Sequence, residues 1–331
     1  MDLTVIWAVI IAFAVAMYVV MDGFDLGIGL LFPRLPVGGD RDRAMNSIAP
    51  VWDGNETWLV LGGGGLLAAF PLAYAIILPA LYAPLIAMLL GLVFRGVAFE
   101  FRWRDSGHRK YWDAGFFLGS AVATLAQGIT LGALVQGIRV QGRAYAGGWW
   151  DWLTPFSLLT GASLLVGYAL LGACWLVWKT DGPLQERARR HARLLAPALI
   201  AAILAVSLAT PTVEFKYAER WFDHPGLLVT VPMPLLVLGA AFGLWRSLRG
   251  PRDWLPFALT LALFLLSMAG LAVSIWPDVI PGRVTIWQAA APYSSQLFML
   301  VGAAVLVPLI LAYTAWSYWV FRGKVGTEGY H

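Results

Sequence analysis

Apolar runs of about 20 residues recur along the whole chain and are separated by short polar segments. A helix of that length crosses the hydrocarbon core of a bilayer, so each run is a candidate transmembrane helix. The pattern predicts an all-α polytopic membrane protein with nine transmembrane helices, near residues 3–32, 41–70, 72–102, 112–138, 155–178, 193–211, 226–248, 254–276 and 296–322. Pro50 is expected to bend the second helix before its apolar part begins.

The runs predict a single membrane domain over 1–331, because no loop is long enough to bury a core of its own. A division after the fourth span predicts a first four-helix group over 1–140. The same division predicts a second four-helix group plus a final helix over 150–331. The composition agrees with a membrane protein, since 60% of the residues are hydrophobic and only 13% are charged, against about a quarter in soluble proteins.

Lysine and arginine predict how the chain is oriented in the membrane. Of the 23 such residues, 17 fall on one side of the nine spans and five on the other, while Arg95 lies within a span. Basic residues concentrate in cytoplasmic loops, so the N-terminus is predicted outside and the C-terminus in the cytoplasm. This distribution accounts for the net charge of +4 without a nucleic-acid partner.

Two motifs place acids inside apolar sequence. Asp22 and Asp25 lie in the segment 21–29 of the first span, and Asp53 and Glu56 lie in the segment 46–58 of the second. A charged side chain at the centre of a membrane helix costs about 2.5–3.5 kcal/mol even on lenient scales. In each motif the two acids are three residues apart and share a helical face. The motifs therefore predict a functional cluster.

The predicted orientation puts these acids in the cytoplasmic halves of their helices. Glu100 ends the third span on the same side, and Trp52, Asn55 and Arg95 are nearby in the sequence. One interpretation is a proton pathway that opens to the cytoplasm, because carboxylates one turn apart can pass protons through ordered water. The alternative is structural, with Asp22 and Asp25 pairing with loop arginines such as Arg34, and Glu100 pairing with Arg95 or Arg104.

The chain shows no convincing metal or haem site. Its four histidines, His108, His191, His224 and His331, fall in loops, at span ends or in the tail, so no two of them are placed to hold a haem between helices. Cys174 is the only cysteine, which excludes an internal disulfide and a cysteine-based metal cluster. A nucleotide-binding motif is also missing, so nucleotide-driven transport is not indicated.

The segments 21–29 and 46–58, together with the run Phe94–Arg102, resemble subunit II of the cytochrome bd-type quinol oxidases, including their cyanide-insensitive branch. The resemblance extends over the whole chain in length, span number and order of motifs. It implies a heterodimer in the bacterial inner membrane with a larger subunit I that carries haem b and haem d, oxidises quinol and reduces O2 to water. This chain would hold no catalytic residue, metal or haem.

The resemblance also implies a cytoplasm-facing proton pathway through an acid that matches Asp53, with Asp25 nearby. It leaves open whether a structural quinone or a small single-helix subunit is present. Two other interpretations remain: a stand-alone proton-coupled secondary transporter and a purely structural membrane subunit. A transporter would usually show inverted repeats and broken helices in two halves, whereas the acids here are confined to the first three spans.

Overall fold

The computed structural model describes residues 2–222 and 231–326. The described chain is almost entirely helical, with helices α1 (Leu3–Leu31), α2 (Gly39–Asn46), α3 (Trp52–Ala69), α4 (Pro71–Ala80), α5 (Tyr82–Arg104), α6 (Arg109–Val135), α7 (Pro155–Lys179), α8 (Gly182–Val213), α9 (Phe215–Phe222), α10 (Pro232–Ser247), α11 (Leu255–Ile275), α12 (Ile286–Ala289) and α13 (Tyr293–Val320). Short 3₁₀ turns occupy Phe32–Arg34 and Ser106–His108.

Two small antiparallel hairpins join helices on the side that is predicted to face outside. Strands β1 (Val140–Gln141) and β2 (Ala144–Tyr145) form the first hairpin. Strands β3 (Asp278–Ile280) and β4 (Val284–Thr285) form the second. Strand β2 of the first hairpin and strand β3 of the second both contact α4, so the two hairpins together cover one end of the helical bundle.

Among the described residues, seven helices are long and apolar enough to cross a membrane: α1 with its 3₁₀ extension, α5, α6, α7, α8, α11 and α13. An eighth span results if α3 and α4 are counted as one broken span. The predicted span 226–248 begins outside the described residues, and its described part, α10, has 16 residues. The chain is thus an all-α multi-pass membrane protein, while the count of nine and the orientation remain predictions.

The second and third predicted spans differ most from the structure. The predicted span 41–70 is interrupted by turns over residues 47–51, so α2 and α3 are separate helices. The bend expected at Pro50 is therefore a complete break in the helix. The predicted span 72–102 is not one helix, because it divides at Leu81 into α4 and α5. Pro84 explains this division, since proline has no N–H to donate to the carbonyl of Ala80.

Helix α4 turns back from α3 with a bend of 120° that lies at Phe70. It packs against β2, β3 and α12, and its apolar residues share a core cluster with Trp7 and Ile280. A continuous apolar run therefore contains a membrane helix and a short helix that packs under the hairpins. Composition alone does not distinguish the two.

Helix α1 is central in the described bundle and packs against α3, α6 and α7. Its glycines approach α7 and α6: an added Cβ on Gly27 would lie 1.9 Å from the Tyr168 carbonyl oxygen, and one on Gly29 would lie 2.0 Å from the Ser120 hydroxyl. Side chains at such positions would separate the helices, so the small residues permit close backbone contact. This contact places the segment 21–29 of α1 in the middle of the fold.

A compact group of charged residues joins α2 to α5 and α6. The Asp113 carboxylate accepts hydrogen bonds of 2.5 Å from both Arg41 and Arg102. Arg102 also donates to Asp42 at 2.7 Å. Both guanidinium groups lie over the ring of Phe32, at 5.2 and 5.5 Å from its centroid. Because Arg102 is buried and its partners come from two other helices, the group holds these helix ends together.

The described end of the chain is tied to α7 and to the loop before α11. The Lys179 ammonium donates to the carbonyl of Phe321 at 2.5 Å, and the backbone N–H of Val325 donates to the Lys179 carbonyl at 2.8 Å. Lys324 pairs with Asp253 at 2.8 Å. Partial burial acts to raise the pKa of Asp253, but the hydrogen bond from Lys324 contributes to a net lowering. These contacts fix the last described residues against the bundle.

Candidate functional site

A fully buried arginine lies at the centre of the candidate site. Arg95 comes nine residues before the end of α5 and is 0% exposed. At 1.5 Å per residue, its Cα lies about 13 Å from that helix end. Asp22 is likewise nine residues before the end of α1, so the two side chains can meet well inside the bundle. A charge at this depth is costly unless it is paired.

Three carboxylates surround the Arg95 guanidinium. Arg95 Nη1 lies 2.9 Å from Asp22 Oδ1 and 2.9 Å from Glu56 Oε1, and Nη2 lies 3.8 Å from Asp25 Oδ2. Asp22 and Asp25 come from one face of α1, while Glu56 comes from the first turns of α3. We refer to Asp22, Asp25, Glu56 and Arg95 as the Arg95 cluster.

The Arg95 cluster contains more acids than bases. If all three carboxylates were ionised, one guanidinium would leave a net charge of −2. Within the described residues, Asp25 Oδ1 and two nitrogens of Arg95 have no hydrogen-bond partner. Two carboxylates so close together do not ionise independently, because each charge opposes the next. The cluster can therefore hold protons as well as charge.

The three acids differ in their access to the surface. The side chains of Asp22 and Asp25 are 1% and 0% exposed, whereas that of Glu56 is 28% exposed. Glu56 thus connects the buried aspartates to the outer surface of α3. Asp53 lies one turn earlier on the same helix and is exposed. The acids therefore range from the exposed Asp53, through the partly buried Glu56, to the fully buried Asp22 and Asp25.

Asn55 and Trp52 complete the surroundings of the cluster. The Asn55 amide donates to Asp25 Oδ2 at 2.7 Å and to the Met21 carbonyl at 3.2 Å. The guanidinium carbon of Arg95 lies 5.8 Å from the centroid of the Trp52 ring, within the range of a cation–π contact. Each of these side chains thus contacts a charged member of the cluster directly.

Of the eight predicted site residues, the structure brings six together and leaves two apart. Asp22, Asp25, Asn55, Glu56, Arg95 and Trp52 meet as described above. Asp53 and Glu100 are exposed on α3 and α5 and have no ion pair within the described residues. The alternative pairings are not observed, since Asp22 and Asp25 pair with Arg95 rather than Arg34, and Arg95 pairs with acids other than Glu100.

Three tyrosines at the site were not predicted from the sequence. The Tyr318 hydroxyl of α13 donates to Asn55 Oδ1 at 3.0 Å. Tyr18 and Tyr168 are buried, and both lie beside Asp22. Tyr18 lies one turn before Asp22 on α1, a spacing that could have revealed it. Tyr168 and Tyr318 come from distant helices, so no spacing marks them.

Two histidines, His108 and His191, lie among the described residues. The His108 side chain is 66% exposed beside Asp105, and His191 lies on α8 without a second histidine facing it in residues 2–222 or 231–326. His224 and His331 lie outside the described residues. No group of three or more histidine, cysteine or carboxylate side chains in the described part of the chain is arranged to hold a metal ion.

Comparison with known proteins identifies relatives over nearly the whole chain. Residues 3–321 match the family described as cytochrome bd terminal oxidase subunit II. Cytochrome bd-I ubiquinol oxidase subunit 2 of Escherichia coli (strain K12) is 32% identical, with 98% of this chain and 95% of that protein covered. Cytochrome bd ubiquinol oxidase subunit 2 of Bacillus subtilis (strain 168) is 29% identical, with 97% and 96% covered.

The fold is also shared with a solved structure. A chain in the structure of bd oxidase from Geobacillus thermodenitrificans superposes with a TM-score of 0.78 and 16% sequence identity. The match covers 98% of this chain and 100% of that chain. At this identity the likeness is evidence of the fold alone.

Proposed function

Because the chain belongs to the cytochrome bd terminal oxidase subunit II family, we propose that it is the haem-free second subunit of a quinol:O2 oxidoreductase. Its partner is a larger subunit I in the bacterial inner membrane, which carries haem b and haem d and performs the electron transfer. Reduction of dioxygen to water consumes one proton for each electron. We propose that this chain supplies those protons from the cytoplasmic side.

The observation that carries the proposal is the excess of carboxylates around Arg95. One buried guanidinium balances at most one of three acids, and an unpaired buried charge costs several kcal/mol. The cluster is therefore most stable when it binds protons. Because the carboxylates share one positive partner, moving a proton among them replaces one ion pair by another without creating a free charge.

The exposure of the acids suggests a direction for the transfer. Asp53 on the surface of α3 would take up a proton, and Glu56, one turn further along, would receive it. The proton would then pass beside Arg95 to Asp22 or Asp25, both of which are buried. Asn55 donates to Asp25 and would stabilise its ionised form between transfers. Glu100 is exposed near the end of α5 and would serve as a second surface acid.

The test is oxygen uptake by the purified complex with quinol as the reductant. Asp25→Asn is expected to leave the haem absorption spectrum of the complex unchanged and to slow turnover by about 10²-fold, the usual effect of losing a proton-transfer group. Asp53→Asn is expected to slow turnover while assembly is retained. Glu186→Gln is the matched control, because Glu186 is exposed on α8 and has no ion pair within the described residues.

The same ion pairs also support a second candidate function. Asp22, Asp25 and Glu56 all contact Arg95, so the cluster could join α1, α3 and α5 without moving protons. In that case Asp25→Asn would lower the stability of the complex, but the remaining assembled enzyme would turn over normally. Normal turnover in assembled Asp25→Asn would reject the proton role and leave the structural role.

A further inference from the structure

We propose that Tyr318 is a positioning residue that sets the protonation of Asp25 through the amide of Asn55. The Tyr318 hydroxyl lies 3.0 Å from Asn55 Oδ1, and Asn55 Nδ2 lies 2.7 Å from Asp25 Oδ2. The last described transmembrane helix, α13, thereby contacts the buried acids of α1 through a residue of α3. The inference rests on the proposed proton role of Asp25 and adds a residue that controls it.

The hydrogen bonds allow only one orientation of the Asn55 amide. Its two N–H groups point to two acceptors, the Met21 carbonyl and the Asp25 carboxylate. Its oxygen faces the Tyr318 hydroxyl, which must donate because an amide oxygen can only accept. If the Asn55 amide were rotated by half a turn, its oxygen would face the Met21 carbonyl and the Asp25 carboxylate. All of these oxygens are acceptors, so no hydrogen bond could form. All three partners therefore act together to aim an N–H group at Asp25.

This orientation favours the ionised form of Asp25. An N–H group can donate to a carboxylate but cannot accept the hydrogen of a protonated carboxyl group. A neutral carboxyl group can still accept through its carbonyl oxygen, but a hydrogen bond to the ionised carboxylate is roughly twice as strong, so this contact stabilises the ionised form. Without the hydroxyl of Tyr318, the amide can turn when Asp25 is protonated, and its oxygen can then accept from the neutral acid. Tyr318 thus opposes protonation of Asp25 although the two side chains are not hydrogen-bonded to each other.

Other charged and titratable groups that face Asp25 stay in place when the hydroxyl is removed. They are Asp22 on the same helix, Arg95 from α5 and Glu56 from α3. Tyr18 of α1 and Tyr168 of α7 lie beside the neighbouring Asp22. If removing only the Tyr318 hydroxyl changes the pH dependence of the enzyme, the change therefore comes from the lost hydrogen bond between Tyr318 and Asn55.

The position of the Tyr318 ring is set by packing that does not involve its hydroxyl. The ring lies edge-on to Trp175 of α7, with centroids 6.3 Å apart. The preceding residue, Ser317, donates to the Pro50 carbonyl at 3.4 Å. Phenylalanine can keep the ring contact, so Tyr318→Phe removes the hydrogen bond and leaves the helix in place.

The experiment measures oxygen uptake with quinol from about pH 5 to pH 9 in the purified complex, together with its haem spectrum. In Tyr318→Phe, Asp25 holds its proton more tightly, so the whole pH–rate profile moves towards higher pH. A net hydrogen bond corresponds to a shift of about half to one pH unit. Tyr313→Phe is the matched control, because Tyr313 is exposed on the same helix and its hydroxyl has no hydrogen bond within the described residues.

A second pair of variants tests whether Tyr318 acts through Asn55. In an Asn55→Leu background no amide remains to be oriented, so adding Tyr318→Phe should cause no further shift. In Tyr318→Gln an N–H donor is retained, and the profile should remain that of the wild type. A change that only weakened packing would lower the yield of haem-containing complex and leave the pH profile unmoved.

The inference is overturned if the Tyr318→Phe profile superimposes on that of the wild type, or if the shift persists in the Asn55→Leu background. If Tyr318→Phe does not assemble, Tyr318→Gln takes its place: this variant keeps an N–H donor, so a shifted profile there also overturns the inference. Asp25→Asn separates this failure from that of the proposed function. Slow turnover in Asp25→Asn with an unmoved Tyr318→Phe profile rejects only the role of Tyr318, whereas normal turnover in Asp25→Asn rejects the proton role itself.

Discussion

Replacement of Arg95 by methionine should destabilise the protein more than any other single substitution at the site. Methionine fills a similar volume but removes the charge that faces Asp22, Asp25 and Glu56. Removing one partner of a buried ion pair costs about 3–5 kcal/mol, because the remaining charge stays buried without compensation. The cost falls when the acids bind protons, so the lower part of this range applies at acidic pH.

The assay is thermal unfolding of the purified complex, followed by its haem absorption. For chains of a few hundred residues, 1 kcal/mol corresponds to about 2–4 °C, so Arg95→Met should lower the apparent melting temperature by about 5 °C or more. Arg104→Met is the matched control on the same helix, because Arg104 is exposed and has no ion pair within the described residues. Adding Asp22→Asn to Arg95→Met should restore part of the loss, since it removes one uncompensated carboxylate.

Two results would refute this reasoning. If Arg95→Met melts within about 1 °C of the Arg104→Met control, the buried charge has been compensated in another way, and the ion pairs contribute little. If adding Asp22→Asn lowers the melting temperature further, the two residues stabilise the protein independently. The contact of 2.9 Å between them would then not be an energetic pair.

Three further substitutions have distinct expected outcomes. Gly27→Ala should prevent normal assembly, because its Cβ would clash with the Tyr168 carbonyl oxygen of α7. Gly63→Ala is the control and should assemble normally, since no described atom lies within 4 Å of its Cβ. Equal yields of haem-containing complex from the two variants would contradict this. Asp113→Asn should lower stability by about 1–3 kcal/mol in thermal unfolding, because two arginines lose a charged acceptor, and an unchanged melting temperature would be inconsistent with it. Lys324→Gln removes a solvent-exposed pair and should change stability by less than about 1 kcal/mol, so a larger loss would show that the tail contact is stronger than its exposure implies.

The sequence was most informative where charge interrupts apolar runs. Asp22, Asp25 and Arg95 could be predicted as site residues because each is costly in a membrane helix unless it is paired. The same reasoning did not separate Glu56, which points into the cluster, from Asp53, which is exposed one turn away. Depth in the membrane follows from position along a helix, but direction depends on how neighbouring helices pack. Glycine positions alone did not reveal that α1 approaches α7.

Two other features could not be predicted for different reasons. The break between α4 and α5 lies within an apolar run whose composition suits both a transmembrane helix and a short helix packed under hairpins. The contact between Asn55 and Tyr318 joins residues that are 263 positions apart. No periodicity or spacing relates two such positions, and only the packed bundle brings them together.

The separation of the Arg95 cluster along the chain has a consequence for how the protein is made. Arg95 follows Asp22 by 73 residues, and synthesis adds about 5–20 residues per second. The aspartates of α1 are therefore made several seconds before their arginine exists. During that interval they must be neutral, or be sheltered by the insertion machinery, for α1 to remain in the bilayer. Biogenesis of this subunit should therefore be most vulnerable between the first helix and the fifth.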